Sequence, residues 1–204
     1  LLGVNEEALK TSKISSNGSC TTNSAHPVMQ ILNEAIGIKK AMLTTVHSYT
    51  ATQKLVDGPD KGDWRRGRAA ASNIVPSTTG AAVSVTRAVK ELKGLFDGIA
   101  VRVPTIAGSL SDITFVTKRP TTVEEVNGAL KSAERDPRWR KIFRTSTDEL
   151  VSSDIIGEPH ASIADLKFTK VVDGDLVKVL AWYDNEMGYT HALVEHVIKA
   201  GQYL

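Results

Sequence analysis

The stretch S-S-N-G-S-C-T-T-N-S at positions 15–24 holds Cys20, the only cysteine of the sequence. A free cysteine most often behaves as a small buried hydrophobe. The neighbours of Cys20 argue otherwise, because Asn17, Gly18, Ser19, Thr21, Thr22 and Asn23 make a poor apolar nest. An amphipathic, helix-like stretch follows at once. The thiol therefore stands at or near a helix N-terminus, where unpaired N–H groups and the helix dipole favour a thiolate. That is the setting of a nucleophile, with a pKa expected below the free-thiol value of about 8.5.

A thiol nucleophile works with a base, and histidine titrates in the useful range. His47 ranks first among the five histidines, because it falls at the C-terminal end of a predicted strand, just before a long loop. His26 is close to Cys20 in sequence, but a helix would carry it away from that helix's own N-terminus. His160, His191 and His196 read as surface or helical residues. No histidines pair with cysteine or carboxylates at metal-ligand spacing, so no metal site is expected. Anions have candidate partners of their own. Thr79 and Gly80 at a helix start offer backbone N–H groups and a hydroxyl, Thr50, Thr52, Arg65, Arg66 and Arg68 lie on the loop after His47, and Arg102 projects from a strand. Taken alone, W-R-R-G-R reads as a solvated loop.

The elements that must position these groups follow from periodicity. Asn23 or Ser24 is a possible cap for a helix that carries Val28, Ile31, Leu32 and Ala35 at helical spacing until Gly37, with Pro27 in its first turn. A strand follows, with Met42, Thr44 and Val46 on one face and Leu43, Thr45 and His47 on the other. Residues 49–68 lack a period and read as a loop, long enough to be functional. A second helix enters through Thr78, Thr79 and Gly80, places Ala82, Val85, Val89 and Leu92 on one face, and stops at Gly94. In G-I-A-V-R-V-P, Ile99, Val101 and Val103 alternate against Ala100 and Arg102, which predicts Arg102 away from the apolar face. S-L-S-D-I-T-F-V-T-K is a further strand. Thr122 and Glu125 have capping-box spacing at a third helix. L-K-F-T-K-V-V and L-V-K-V-L-A-W-Y flank D-G-D as a hairpin, ahead of a last helix with Leu193, Val194, Val197 and Ile198. The fold class is α+β: one domain with a mixed, largely antiparallel sheet covered by helices.

Composition sets the outer bounds. With 41% hydrophobic and 24% charged side chains over 204 residues, the chain can bury a sizeable core. A net charge of +2 without long runs of one sign points to no specific nucleic acid. A single cysteine, no bilayer-length apolar run and no leader-like N-terminus point to a soluble cytoplasmic protein and no membrane partner.

Six stretches in order carry a resemblance: S-N-G-S-C-T-T-N, T-T-V-H-S-Y-T-A-T-Q, W-R-R-G-R-A-A-A, S-T-T-G-A-A, V-R-V-P-T and W-Y-D-N-E-M-G-Y. Together they resemble the catalytic, C-terminal domain of phosphorylating glyceraldehyde-3-phosphate dehydrogenase over nearly all the sequence. The resemblance implies that Cys20 is the nucleophile and His47 its base. In that family the thiolate adds to the aldehyde, hydride leaves for NAD, and inorganic phosphate releases the thioester as an acyl phosphate, and the resemblance implies the same steps here. It implies that Thr50, Thr52 and Arg102 bind the phosphate of glyceraldehyde 3-phosphate, that Ser19, Thr21, Arg66, Thr79 and Gly80 bind inorganic phosphate, and that Asn185 and Tyr189 fix the nicotinamide. It implies a homotetramer, with the loop after His47 reaching a neighbouring subunit's cofactor.

Three positions depart from the family pattern. Gly18 replaces the alanine usual before the Ser-Cys pair, Ser24 stands where many members have a second cysteine, and His26 stands where alanine is common. No G-x-G-x-x-G fingerprint occurs. The resemblance thus makes residues 1–204 one catalytic domain and places the family's N-terminal Rossmann NAD-binding domain outside this sequence. NADP is an alternative to NAD; Gly58-Pro59 resembles NAD-type members. Two other functions fit the sequence less well: the erythrose-4-phosphate dehydrogenase branch, and a non-catalytic oligomerisation or interaction module.

Overall fold

The computed structural model describes residues 1–203. Its centre is helix α1 (Cys20–Ala35). Ala25, Val28, Met29 and Leu32 are fully buried in it, so α1 is packed on several sides at once. The cap is Ser19, whose Oγ accepts the Thr22 N–H at 3.0 Å, rather than Asn23 or Ser24. The helix therefore begins a turn earlier than its apolar period does, because the small polar residues of its first turn are buried by the site and not by the apolar stripe. Pro27 consequently lies inside the helix. Gly37, at φ 74°, supplies the left-handed residue that ends it.

The remaining elements are β1 (Ile38–Ser48), β2 (Val75–Thr78), α2 (Ala81–Ala88), β3 (Phe96–Val103), β4 (Ser109–Thr117), α3 (Val123–Glu134), β5 (Phe143–Ser146), β6 (Ser162–Val172), β7 (Leu176–Tyr183) and α4 (Met187–Gly201). The strands form one sheet in the order β2-β3-β1-β4-β7-β6-β5. Only β1 with β3 and β5 with β6 run parallel; the other neighbours are antiparallel. This is the mixed, largely antiparallel α+β sheet that the pattern predicts. Asp173 and Gly174, with φ of 49° and 75°, make the β6–β7 turn at D-G-D. The second helix ends at Ala88, and Lys90–Leu92 continue as a 3-10 turn.

The apolar core lies between the sheet and the helices and unites Leu32, Leu43, Val85, Ile113, Leu130 and Val179. The opposite face of the sheet carries exposed Met42 and Ile99. β3 differs from expectation. Its alternation starts at Phe96, so Phe96 and Ala100 are buried while Ile99 is 48% exposed. Arg102 therefore shares the helix-covered face, and it sits there because β1 and β3 pair in parallel with His47 opposite Arg102.

Candidate active site

Gly18, at φ 70°, turns the chain into α1. The turn is then tied by side chains that the sequence places densely. The Asn23 amide donates to the carbonyls of Asn17 and Ser19 at 2.7 and 2.9 Å, and the Ser19 and Thr22 hydroxyls lie 2.8 Å apart. Much of the hydroxyl and amide run thus holds the loop that presents Cys20 as the first residue of the helix.

Cys20 Sγ lies 3.4 Å from His47 Nε2. The two meet because β1 ends directly under the N-terminus of α1, with His47 on the strand's buried face. Burial is the largest influence on both groups. It pushes the thiol above its ordinary value, against the Thr21 N–H and hydroxyl and the Arg102 charge, which favour the thiolate. The sequence predicts the opposite direction, since it reveals the helix terminus but not how deeply the sulfur is covered. Burial, followed by the positive charge of Arg102, pulls His47 down to about 4. At neutral pH the pair is a thiol beside a neutral imidazole.

His47 is confined on all sides. Its Nδ1 is 2.7 Å from the Ser48 carbonyl and 2.6 Å from Arg102 Nη1, and its ring meets Tyr183 edge-on at 5.8 Å. Sequence reasoning misses Tyr183. It is buried at the end of β7, with its hydroxyl 2.8 Å from Thr21 Oγ1 and 2.7 Å from Thr45 Oγ1, so it clamps α1 to β1 behind the Cys20–His47 pair. The one signal for it is a hydroxyl that closes the apolar run V-K-V-L-A-W-Y. Ser48 and Ser109 are missed too. Both donate to Asn185 Oδ1, at 3.0 and 3.1 Å, and the Gly108 N–H joins them at 3.1 Å. Three donors into one oxygen fix the Asn185 carboxamide and leave its NH2 group for other work.

The predicted anion residues stand at different distances from the Cys20–His47 pair. Arg102 is in direct contact with His47 and also donates to the Ser48 carbonyl at 3.0 Å. Thr50 and Thr52, on the loop after β1, have hydroxyls 3.0 Å apart, and the Thr50 N–H donates to Gln53 Oε1 at 2.8 Å. Arg66 reaches Ser77 on β2 at 3.4 Å; burial is the main cause that lowers the Arg102 pKa, and the Arg66 charge adds to it. Thr79 caps its own turn by accepting the Ala81 N–H, and Gly80 is the N-cap of α2; no direct contact joins either to Cys20. Thr21 faces inward to Tyr183. Tyr189 is half-buried in the first turn of α4. Among the other histidines, His26 is fully buried within α1 and makes no contact with Cys20; its nitrogens face the carbonyls of Thr22 and Leu2 at 3.1 and 3.0 Å.

Residues 19–185 match the family model described as glyceraldehyde 3-phosphate dehydrogenase, C-terminal domain. The match includes Cys20, His47, Arg102 and Asn185 and ends before Tyr189. Glyceraldehyde-3-phosphate dehydrogenase 3 of Saccharomyces cerevisiae is 45% identical over 204 residues, covering 98% of this chain and 61% of that protein. The glyceraldehyde-3-phosphate dehydrogenase of Mycobacterium avium is 46% identical over 205 residues, covering 100% and 60%. That of Mastigamoeba balamuthi is 45% identical over 199 residues, covering 97% and 58%. The chain spans about three-fifths of the length of the curated relatives it matches.

Proposed function

The chain belongs to the glyceraldehyde 3-phosphate dehydrogenase family, carrying its C-terminal domain, and from that premise we propose that it oxidises glyceraldehyde 3-phosphate to 1,3-bisphosphoglycerate through a thioester on Cys20. The observation that carries the reading is the thiol at a helix N-terminus 3.4 Å from an imidazole nitrogen. Sγ adds to the aldehyde carbon while His47 Nε2 takes the thiol proton and passes it to the carbonyl oxygen; Nε2 then takes the proton of that hemithioacetal hydroxyl as the carbon gives up hydride. Inorganic phosphate attacks the thioester carbonyl and expels Sγ, giving an acyl phosphate. Cysteine suits both halves, since a thiolate attacks well and its thioester stays reactive.

NAD, when bound, supplies the hydride acceptor, with NADP the alternative dinucleotide. The residues present fit its nicotinamide end, because the Asn185 NH2 is left free by three donors into Oδ1 and matches a carboxamide oxygen. Tyr189, one turn along, would flank the ring. No glycine-rich phosphate turn occurs in these 204 residues, so the pyrophosphate and adenosine are assigned to a Rossmann domain outside them. Thr50, Thr52 and Arg102 take the substrate phosphate. Ser19, Thr21, Arg66, Thr79 and Gly80 take the inorganic one. The Arg66 charge, which adds to burial in lowering the Arg102 pKa, supports two anion positions close together. The exposed apolar residues of the uncovered sheet face, Met42 and Ile99, support assembly with further copies into a tetramer. Among the described residues, no helix is long and apolar enough to cross a membrane.

Acylation needs no dinucleotide and gives the test. The chain should release a stoichiometric burst of nitrophenol from p-nitrophenyl acetate and turn over faster with phosphate. Cys20→Ser should abolish the burst and His47→Asn slow it by about 10²–10⁴-fold. A folded sample with no burst would overturn the proposal.

A further inference from the structure

The bend between α2 and β3 gathers three cations into one concavity. α2 ends at Ala88, Val89 leaves helical geometry with ψ 79°, Lys90–Leu92 form the 3-10 turn, and Gly94, at φ 76°, reverses the chain into β3. Arg87, Lys90 and Lys93 follow one another every third residue. All three line an open cavity of about 680 Å³, together with Thr86, Phe96 and Asp97. That volume is typical of small-ligand sites, which run from about 300 to 1,000 Å³. Its wall is firm, since Phe96 and Thr86 are 4% and 7% exposed, whereas the three cations reach into solvent.

Folding alone gives no reason for this convergence. Like charges three residues apart on a helical surface repel, and among the described residues none of the three forms an ion pair. Arg87, in the last turn of α2, complements the negative end of that helix. Lys90 and Lys93 lie past that turn, where the effect falls away. The one carboxylate in the cavity, Asp97, accepts the Gly98 N–H at 2.8 Å and leaves the cations in excess. None of these residues belongs to the Cys20 site.

We propose that this cavity is a further anion site, separate from the phosphate positions at Cys20, and that it takes a linear run of phosphates such as a triphosphate. The three cations come from successive turns of the chain and stand in a row. An extended polyanion can therefore give each of them one phosphate, through the fork of Arg87 and the ammonium groups of Lys90 and Lys93. A single orthophosphate reaches only part of the row. The same chemistry comes free, as inorganic triphosphate, or at the end of a nucleotide.

The test footprints the lysines. In magnesium-free buffer the chain is acetylated with N-hydroxysuccinimidyl acetate, and the rate at each lysine is read by mass spectrometry with and without tripolyphosphate. Lys90 and Lys93 should slow several-fold while the exposed Lys170 keeps its rate, and equimolar orthophosphate should protect neither. In a parallel arm with a nucleoside triphosphate, stronger protection than by tripolyphosphate assigns the site to a nucleotide, and weaker protection assigns it to the free polyphosphate. Arg87→Gln combined with Lys93→Gln should weaken tripolyphosphate binding, followed at Lys90, by about tenfold, because two exposed ion pairs are lost. Both side chains are exposed, so the nitrophenyl acetate burst should be unchanged in that variant. Arg102→Ala should keep the protection, which separates this site from the substrate-phosphate position. Equal slowing of Lys90 and Lys170, no slowing, protection that survives in the double variant, or protection lost in Arg102→Ala would each overturn the proposal. So would protection by a single-stranded oligonucleotide alone, which would make the surface a nucleic-acid contact.

Discussion

Acid should unfold this protein through two histidines rather than through its carboxylates, and the window can be worked out in advance. His26 and His47 are 0% and 3% exposed, and burial holds them near 3 and 4 respectively. Unfolded, both return to about 6.5. Between those limits the unfolded chain binds more protons than the folded one, so stability is complete above about pH 6.5 and falls as pH falls. At pH 5 each histidine costs about 2 kcal/mol relative to pH 7, about 4 kcal/mol together, against a total stability of about 5–15 kcal/mol. The lowered carboxylates Glu6 and Glu158 act in a separate window, below about pH 4.5. Urea titrations followed by tryptophan fluorescence would measure this, since Trp139 lies 6.3 Å from the His26 ring. The midpoint should drop by about 1–2 M between pH 7 and pH 5. In His26→Ala the chain should be weaker at pH 7, yet its loss between the two pH values should fall to about 2 kcal/mol. A wild-type midpoint unchanged from pH 7 to pH 5 would refute the assignment of buried neutral imidazoles.

Three further outcomes follow from single contacts. In phosphate-free buffer the rate of Cys20 alkylation by iodoacetamide should inflect above the free-thiol value of about 8.5, because burial outweighs the helix terminus; Thr21→Val, which removes a hydroxyl that favours the thiolate, should move it higher still. Tyr183→Phe removes the partner shared by Thr21 and Thr45 and should cost about 1–3 kcal/mol in urea unfolding. Adding Thr45→Val should then cost less than it does alone, since the orphaned hydroxyl is gone. Ser19→Ala deletes the α1 cap and should cost about 1 kcal/mol, lowering Tm by about 2–4 °C.

Local pattern makes the long elements legible. α1, β1, β4, β7 and α4 carry apolar residues at the period of their own backbone, and β1 thereby groups His47 with Leu43 and Thr45, although only the fold makes that face the buried one. Cys20 is equally legible, because a helix start and its small polar neighbours are adjacent in the chain. The short strands β2 and β5, V-P-S-T and F-R-T-S, have no period to read and exist because a neighbour offers them a ladder. What decides the chemistry lies between elements. Arg102 falls on the side of His47 because β3 begins at Phe96 and pairs in parallel with β1, a register set by packing across the sheet. The Tyr183 clamp joins α1, β1 and β7, which are far apart in the chain. The direction of the Cys20 pKa shift is also tertiary: a helix dipole is a local property that sequence reveals, but desolvation depends on everything that covers the sulfur, and only the folded chain determines that.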